Sequence, residues 1–256
     1  VVPVSVVVDG VAYDEGVDIS SVELADALRR RLTVTTSRPT PARFLDTYRA
    51  AATVGATDIV SAHLSADMSG TYDSAVIAAR ESPIPVRVLD TRSVGMAMGF
   101  AILDGARTAD AGGTVEEVTA AVMDRIATSS ALFYVDTLEY LRRGGRVTAA
   151  AAAVGQALSV KPILELVDGR VVPCERVRTS AKALARLTEL AVQRAAGRPC
   201  DVAVQHLDAA ARAESLAELL AAALTDAHIL VSEVGAVVGA HVGPGMVAVG
   251  IAPRPA

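Results

Sequence analysis

The chain has no tryptophan, and aromatic residues fill only 3% of its 256 positions although 52% of them are hydrophobic. Its interior must therefore be built from Val, Ala, Leu and Ile, a composition suited to layers of helix against strand. Cysteine is equally scarce. Cys174 and Cys200 cannot make a disulfide framework, and neither stands in a C-x-x-C or near a histidine at metal-ligand spacing, so no metal is expected. No apolar run reaches the roughly 18 to 20 uncharged residues of a membrane-spanning helix. The longest Ala-rich stretch, Ala149 to Val160, is too short. Basic residues are outnumbered, 24 Lys and Arg against 29 Asp and Glu for a net charge of −5. With no aromatic-studded basic stripe either, nucleic-acid binding is set aside. A secretory leader would place a basic stretch before an apolar one, whereas this chain opens on Val1 to Val8 and turns at Asp9-Gly10. A cytoplasmic location is the expectation, and Val1 in place of Met points to a processed or truncated chain.

What is present reads as two α/β domains, 1–130 and 131–256, since the length exceeds the usual single core. Val4 to Val8 and Val11 to Tyr13 flank Asp9-Gly10 as a hairpin. Ser20 with Glu23 forms a capping box ahead of Leu24, Leu28 and Leu32. Val34-Thr35, Asp58 to Leu64 and Val86 to Leu89 then alternate with helical stretches, which predicts a parallel sheet. Gly112-Gly113 separates a helix over Gly99 to Asp110 from one over Thr114 to Thr128. Beyond residue 130, Ala131 to Val135 is a strand, and a hairpin turns at Asp168-Gly169. Strands at Asp201 to Gln205, His228 to Glu233 and Met246 to Ile251 alternate with helices at Ala181 to Ala195 and Ala209 to Leu224, giving a mixed or antiparallel sheet.

Three loops of the first half leave predicted strands and open helices, where free amides can hold an anion. In Thr36-Ser37-Arg38-Pro39-Thr40-Pro41, Thr40 and Pro41 suffice to start the helix, which leaves Thr36 and Ser37 free. The second, Ser65-Ala66-Asp67-Met68-Ser69-Gly70-Thr71-Tyr72, offers two hydroxyls around a glycine that permits close approach. Asp90-Thr91-Arg92-Ser93 is the third. Such residues serve equally well as plain helix caps, but three in one sheet, at the strand ends where open α/β sheets bind ligands, favour a site. His63, His206 and His228 lie in or beside strands and read as structural. His241, before Gly243-Pro244-Gly245, reads as projecting from a tight turn. Asp136 to Arg146 concentrates charge beside Gly144-Gly145, as a helix end with a glycine C-cap does.

In chain order these segments resemble the DegV family of bacterial fatty-acid-binding proteins. Thr36-Ser37-Arg38-Pro39 resembles the family's T-S-x-P loop, Met68 to Tyr72 its L-S-G-T-Y turn, and Asp90 to Met96 its D-S-x-x-V-S-M segment. Val135 to Arg146 is similar to V-D-T-L-E-Y-L-x-x-G-G-R almost letter for letter, and Val160 to Leu164 to I-K-P-I-L. Glu175-Arg176-Val177-Arg178-Thr179, with its V-R-T, and His241 to Gly245, as H-x-G-P-G, complete the series.

The resemblance implies an N-terminal Rossmann-like parallel sheet with helices on both faces and a C-terminal mixed-sheet α/β domain. A long-chain fatty acid would lie between them, its carboxylate held by Thr36, Ser69 and His241 with Ser37, Gly70 and Thr71 alongside. A separate fatty acid kinase would phosphorylate that carboxylate to an acyl-phosphate destined for phospholipid metabolism. The present chain has no P-loop and would be non-catalytic, without a cofactor of its own. Arg146, Arg176 and Arg178 fit exposed positions suited to docking the kinase or steadying phosphate, with surface salt bridging an equal alternative. Contact with a membrane would be at most transient.

Two departures stand out. The family's leading strand and T-D-S-T loop are absent before Val1, which predicts a sheet lacking its first strand. Arg38 and Ala66-Asp67 also replace commoner small residues, which predicts an altered acyl preference. Two rival readings remain: an acyl hydrolase using Ser69, His241 and an acid such as Asp90, although G-x-S-x-G is missing, and a phosphate- or nucleotide-binding module.

Overall fold

The computed structural model of the protein describes residues 1–147 and 161–254, so the run Ala149 to Val160 lies outside the described residues. Strands β1 (Ser5–Val8) and β2 (Val11–Asp14) form the expected hairpin, with Asp9 and Gly10 both at positive φ. Helix α1 (Ser21–Arg29) starts on the Ser20–Glu23 capping box. Strand β3 (Val34–Ser37) departs from the expectation: it pairs antiparallel with β1 in a separate sheet of order β2-β1-β3. The hairpin is the reason. Helix α1 carries the chain from β2 to β3 and these two strands do run parallel, but β1 occupies the position between them.

The parallel unit comes next. Thr40 caps α2 (Pro41–Thr53), and β4 (Ile59–His63), α3 (Thr71–Ala79) and β5 (Val86–Asp90) follow, β4 and β5 pairing in parallel. Strand side chains alternate between faces. Ile59, Val86 and Val88 pack with Phe44, Tyr48 and Ala75 of α2 and α3. Val60, Ala62 and Leu89 pack instead with Ala101 and Val122 of α4 (Gly95–Asp110) and α5 (Val115–Thr128). Helices thus cover both faces of this sheet.

The remaining chain supplies β6 (Ser130–Tyr134), α6 (Glu139–Gly144), β7 (Lys161–Val167), β8 (Arg170–Val177) and α7 (Ser180–Ala195). After these come β9 (Cys200–His206), α8 (Ala210–Ala223), β10 (Ala227–Glu233), α9 (Ala236–Val242) and β11 (Val247–Pro253). They build a mixed six-stranded sheet of order β10-β9-β11-β6-β7-β8, in which only β9 and β10 pair in parallel. Helices α7 and α8 bury Leu187, Leu190 and Leu216 against Val202, Val204, Val249 and Ile251 on one face. The opposite face, carrying Ala203 and Ala252, meets Met96 and Phe100 of α4. Arg125 of α5, its side chain only 2% exposed, ties the two halves together. It lies 3.3 Å from Asp104 of α4, pairs with Asp201 of β9, and donates to the Pro253 carbonyl of β11.

Candidate functional site

The inner face of the mixed sheet, helix α9 and the loops after β3 and β4 enclose a cavity of about 380 Å³, within the range of small-molecule sites. Its wall is largely aliphatic, with Leu64, Leu166, Val237, Val238 and Ala248 beside Phe133. Thr36, Ser37, Arg38, Ser69, Gly70, Arg146, Gln205 and His241 also line it.

Thr36 and His241, 205 residues apart, are joined: Oγ1 of Thr36 lies 2.9 Å from Nε2 of His241. His241 is helical, in the last turn of α9, and does not project from a turn as expected. The turn begins only at Gly243, where φ is +77°. The imidazole lies against Gly144, where a Cβ would overlap Nδ1. Gly145 supplies the left-handed C-cap of α6 at φ +69°. In return a Cβ on Gly243 would strike the Tyr140 ring, and one on Gly245 the Asp136 carboxylate. The H-V-G-P-G segment and the end of the D-T-L-E-Y-L-R-R-G-G segment therefore interlock. Asp136 anchors that lock, accepting from Tyr134, from Arg212 at 2.9 Å and from Lys161 at 3.0 Å. Burial opposes its ionisation, but these donors outweigh it and hold the carboxyl below its usual range.

Burial lowers the pKa of His241 to about 4, and the charge of Arg146 pushes the same way. Its ring is neutral at pH 7, one nitrogen donating and the other accepting. Across the cavity mouth, Ser69 Oγ is 2.7 Å from Thr71 Oγ1 and accepts the Thr71 amide at 3.3 Å. Thr71 itself is buried behind Ser69 as the first residue of α3 and is not on the cavity wall. Arg38 lies over Gly70, its Nη1 3.4 Å from that carbonyl.

Arg146 is half-buried rather than exposed, because its guanidinium donates to the carbonyls of Met68, at 2.9 Å, and Gly144. Arg176 and Arg178 are exposed, in β8 and just beyond it. The third loop spends its polar groups internally. Thr91 Oγ1 donates to the His63 carbonyl at 2.8 Å, and Asp90 Oδ1 accepts from the amides of Ala66 and Arg92. The hydrolase constellation is not assembled: Ser69 bonds Thr71, His241 bonds Thr36, and Asp90 bonds backbone. His63 is buried, 2.8 Å from Ser61, and burial lowers its pKa to about 4 against a raising effect of Asp90. His206 is buried, and its Nδ1 accepts the Ala209 amide at 3.4 Å, whereas His228 is exposed. Among the described residues no group of His, Cys, Asp and Glu is placed to hold a metal ion.

Sequence reasoning missed Gln205 and the small residues that floor the cavity. The signal was the alternation in Asp201-Val202-Ala203-Val204-Gln205. Val202 and Val204 face α7 and α8, so Ala203 and Gln205 must face the other way.

The profile of the DegV family, described as an uncharacterised protein family, matches residues 1–254. A DegV domain-containing protein of Streptomyces coelicolor is 56% identical over 256 residues, covering 99% of this chain and 90% of that relative. Among solved structures, a fatty-acid-binding DegV family protein from Thermus thermophilus superposes with a TM-score of 0.92 at 32% identity. It covers 99% of this chain and 91% of that one. DegV of Bacillus subtilis, a fatty acid binding protein, gives 0.89 at 30% identity over 98% and 90%. With the interlocked motifs and the three-sheet α/β architecture in place, and the whole described length matched, the chain belongs to the DegV family.

Proposed function

We propose that the protein binds a long-chain fatty acid between its two domains, in the cavity lined by the mixed sheet and helix α9, and presents the carboxylate to a separate fatty acid kinase. The observation that carries this reading is the Thr36–His241 contact on the wall of a largely aliphatic cavity, with Ser37, Ser69 and Gly70 lining the same space. A neutral imidazole and hydroxyls bind a carboxylate as hydrogen-bond donors, and the amides that open α3 add to them. Thr71 acts one step back, orienting Ser69. Each buried methylene contributes about 0.8 kcal/mol, so an acyl chain supplies most of the affinity. Arg146, on the wall near His241, is suited to steady a phosphate on the carboxylate, and the exposed Arg176 and Arg178 to meet the kinase. In this reading the chain holds substrate from 1–130 and 131–256 acting as two domains, and the kinase carries out the transfer in the cytoplasm.

Incubating the protein with radiolabelled fatty acid, ATP and a fatty acid kinase tests the division of labour. Acyl-phosphate, trapped as the hydroxamate, is expected only when both proteins are present. Release of product from activated esters by this chain alone, lost in Ser69→Ala, would turn the assignment to a hydrolase.

A further inference from the structure

Gln205 is the polar residue of the cavity that the carboxylate site does not use. Of the polar residues lining the cavity, Thr36 contacts His241, Arg38 contacts the Gly70 carbonyl, and Arg146 donates to the Met68 carbonyl next to Ser69. Gln205 bonds none of them. It rises from β9 on the sheet face turned to the cavity, and its Oε1 accepts the Met96 amide at 2.8 Å, at the start of α4. A Cβ on Gly95 would overlap that Oε1, so the glycine is what lets the carboxamide reach the helix end.

That bond fixes which way the amide points. A backbone N–H can only donate, so Oε1 must face Met96 and the NH₂ group must face elsewhere. Capping the helix uses only an acceptor. The two donor hydrogens of Nε2 have no acceptor among the described residues, and the neighbouring wall, Val94, Ala97, Ala131, Phe133, Ala248 and Gly250, offers only apolar side chains. A plain alkyl chain filling this space would strip water from those donors and return nothing, whereas an oxygen on the chain would pair with them.

We propose that Gln205 reads an oxygen carried along the acyl chain, so that the cavity prefers an oxygen-bearing fatty acid, an oxo or hydroxy acid, to the plain acid of equal length. This rests on the fatty-acid reading of the same cavity. Sites built to hydrogen-bond a ligand group discriminate strongly against the analogue that lacks it.

The test uses the delipidated full chain and competitive displacement by octadecanoic acid and a set of monooxo-octadecanoic acids with the carbonyl at successive positions. An oxo oxygen only accepts, so it needs the Gln205 donors. At least one positional isomer is expected to bind about tenfold tighter than the plain acid. Assayed at about pH 9, where its carboxyl is ionised, Gln205→Glu keeps an acceptor for Met96 but has no donor, and is expected to abolish the preference. Gln205→Met, of similar volume, is expected to bind the plain acid several-fold tighter than the wild type does, a gain that misfolding cannot produce. A wild type that binds the plain acid at least as well as every isomer, or a preference that survives in Gln205→Glu, overturns the proposal while leaving the fatty-acid reading intact. Failure of the wild type to bind any of these acids overturns both.

Discussion

Thr36 at the end of β3 and His241 at the end of α9 meet at 2.9 Å, although the first belongs to the antiparallel sheet near the N-terminus and the second to a short helix near the C-terminus. The contact closes only because Gly144 leaves room for the imidazole. The three positions therefore form one unit, and disturbing the glycine should disturb ligand binding at a distance.

Gly144→Ala is accordingly expected to lower fatty-acid retention by about as much as His241→Ala, because its methyl would displace the ring. Gly145→Ala is the control. It meets no neighbouring atom, so it should cost only about 1 kcal/mol of stability through its left-handed φ and leave retention unchanged. Equilibrium binding of a fluorescent fatty acid to the two variants, with urea melts alongside, separates the effects.

Stability should fall on acidification. His63 and His241 are held neutral by burial down to about pH 4, whereas an unfolded histidine titrates near 6.5. Between those values the unfolded chain binds more protons, so the contribution is complete above about pH 6.5 and is lost as pH drops toward 4. The urea midpoint should be lower at pH 5 than at pH 7.5, and the double substitution His63→Gln with His241→Gln should shrink that difference. An equal pH difference in the double variant would mean that other groups are responsible.

Arg125 carries the largest single stability prediction. Replacing it with Leu removes the buried guanidinium shared by Asp104 and Asp201, leaving Asp104 only Arg107 and Asp201 only Arg254 as an arginine partner. The expected cost is about 3 kcal/mol in urea unfolding, the low end for breaking a buried pair, because each carboxylate keeps a second arginine. Arg107→Leu, which removes an exposed arginine from Asp104, should cost under about 1 kcal/mol.

Much of the architecture was legible from the alternation of strand and helix signals, because a capping box at Ser20 and turns at Asp9-Gly10, Gly112-Gly113 and Asp168-Gly169 mark element ends locally. The sheet assignment of β3 was not, since nothing in Val34 to Ser37 records that β1 has already taken the neighbouring position. At the site, Thr36 stood out as a hydroxyl that no local cap required, and His241 by its place just before Gly243-Pro244-Gly245, although it proved to be helical. The burial of Arg146 was hidden because its partners are carbonyls, of Met68 and Gly144, which every sequence contains. Gln205 was hidden for a different reason: its meaning depends on which face of β9 looks into the cavity.

The central claim is that the cavity between the mixed sheet and helix α9 holds a fatty acid by its carboxylate, and the most direct measurement is mass spectrometry of lipid extracted from the purified protein. The wild type should carry a fatty acid at close to one per chain. Ser69→Ala and His241→Ala, which each remove a contact to a charged group, should reduce occupancy about tenfold or more while the melting temperature changes little. A wild type that yields no fatty acid, or unchanged occupancy in both folded variants, would contradict the account.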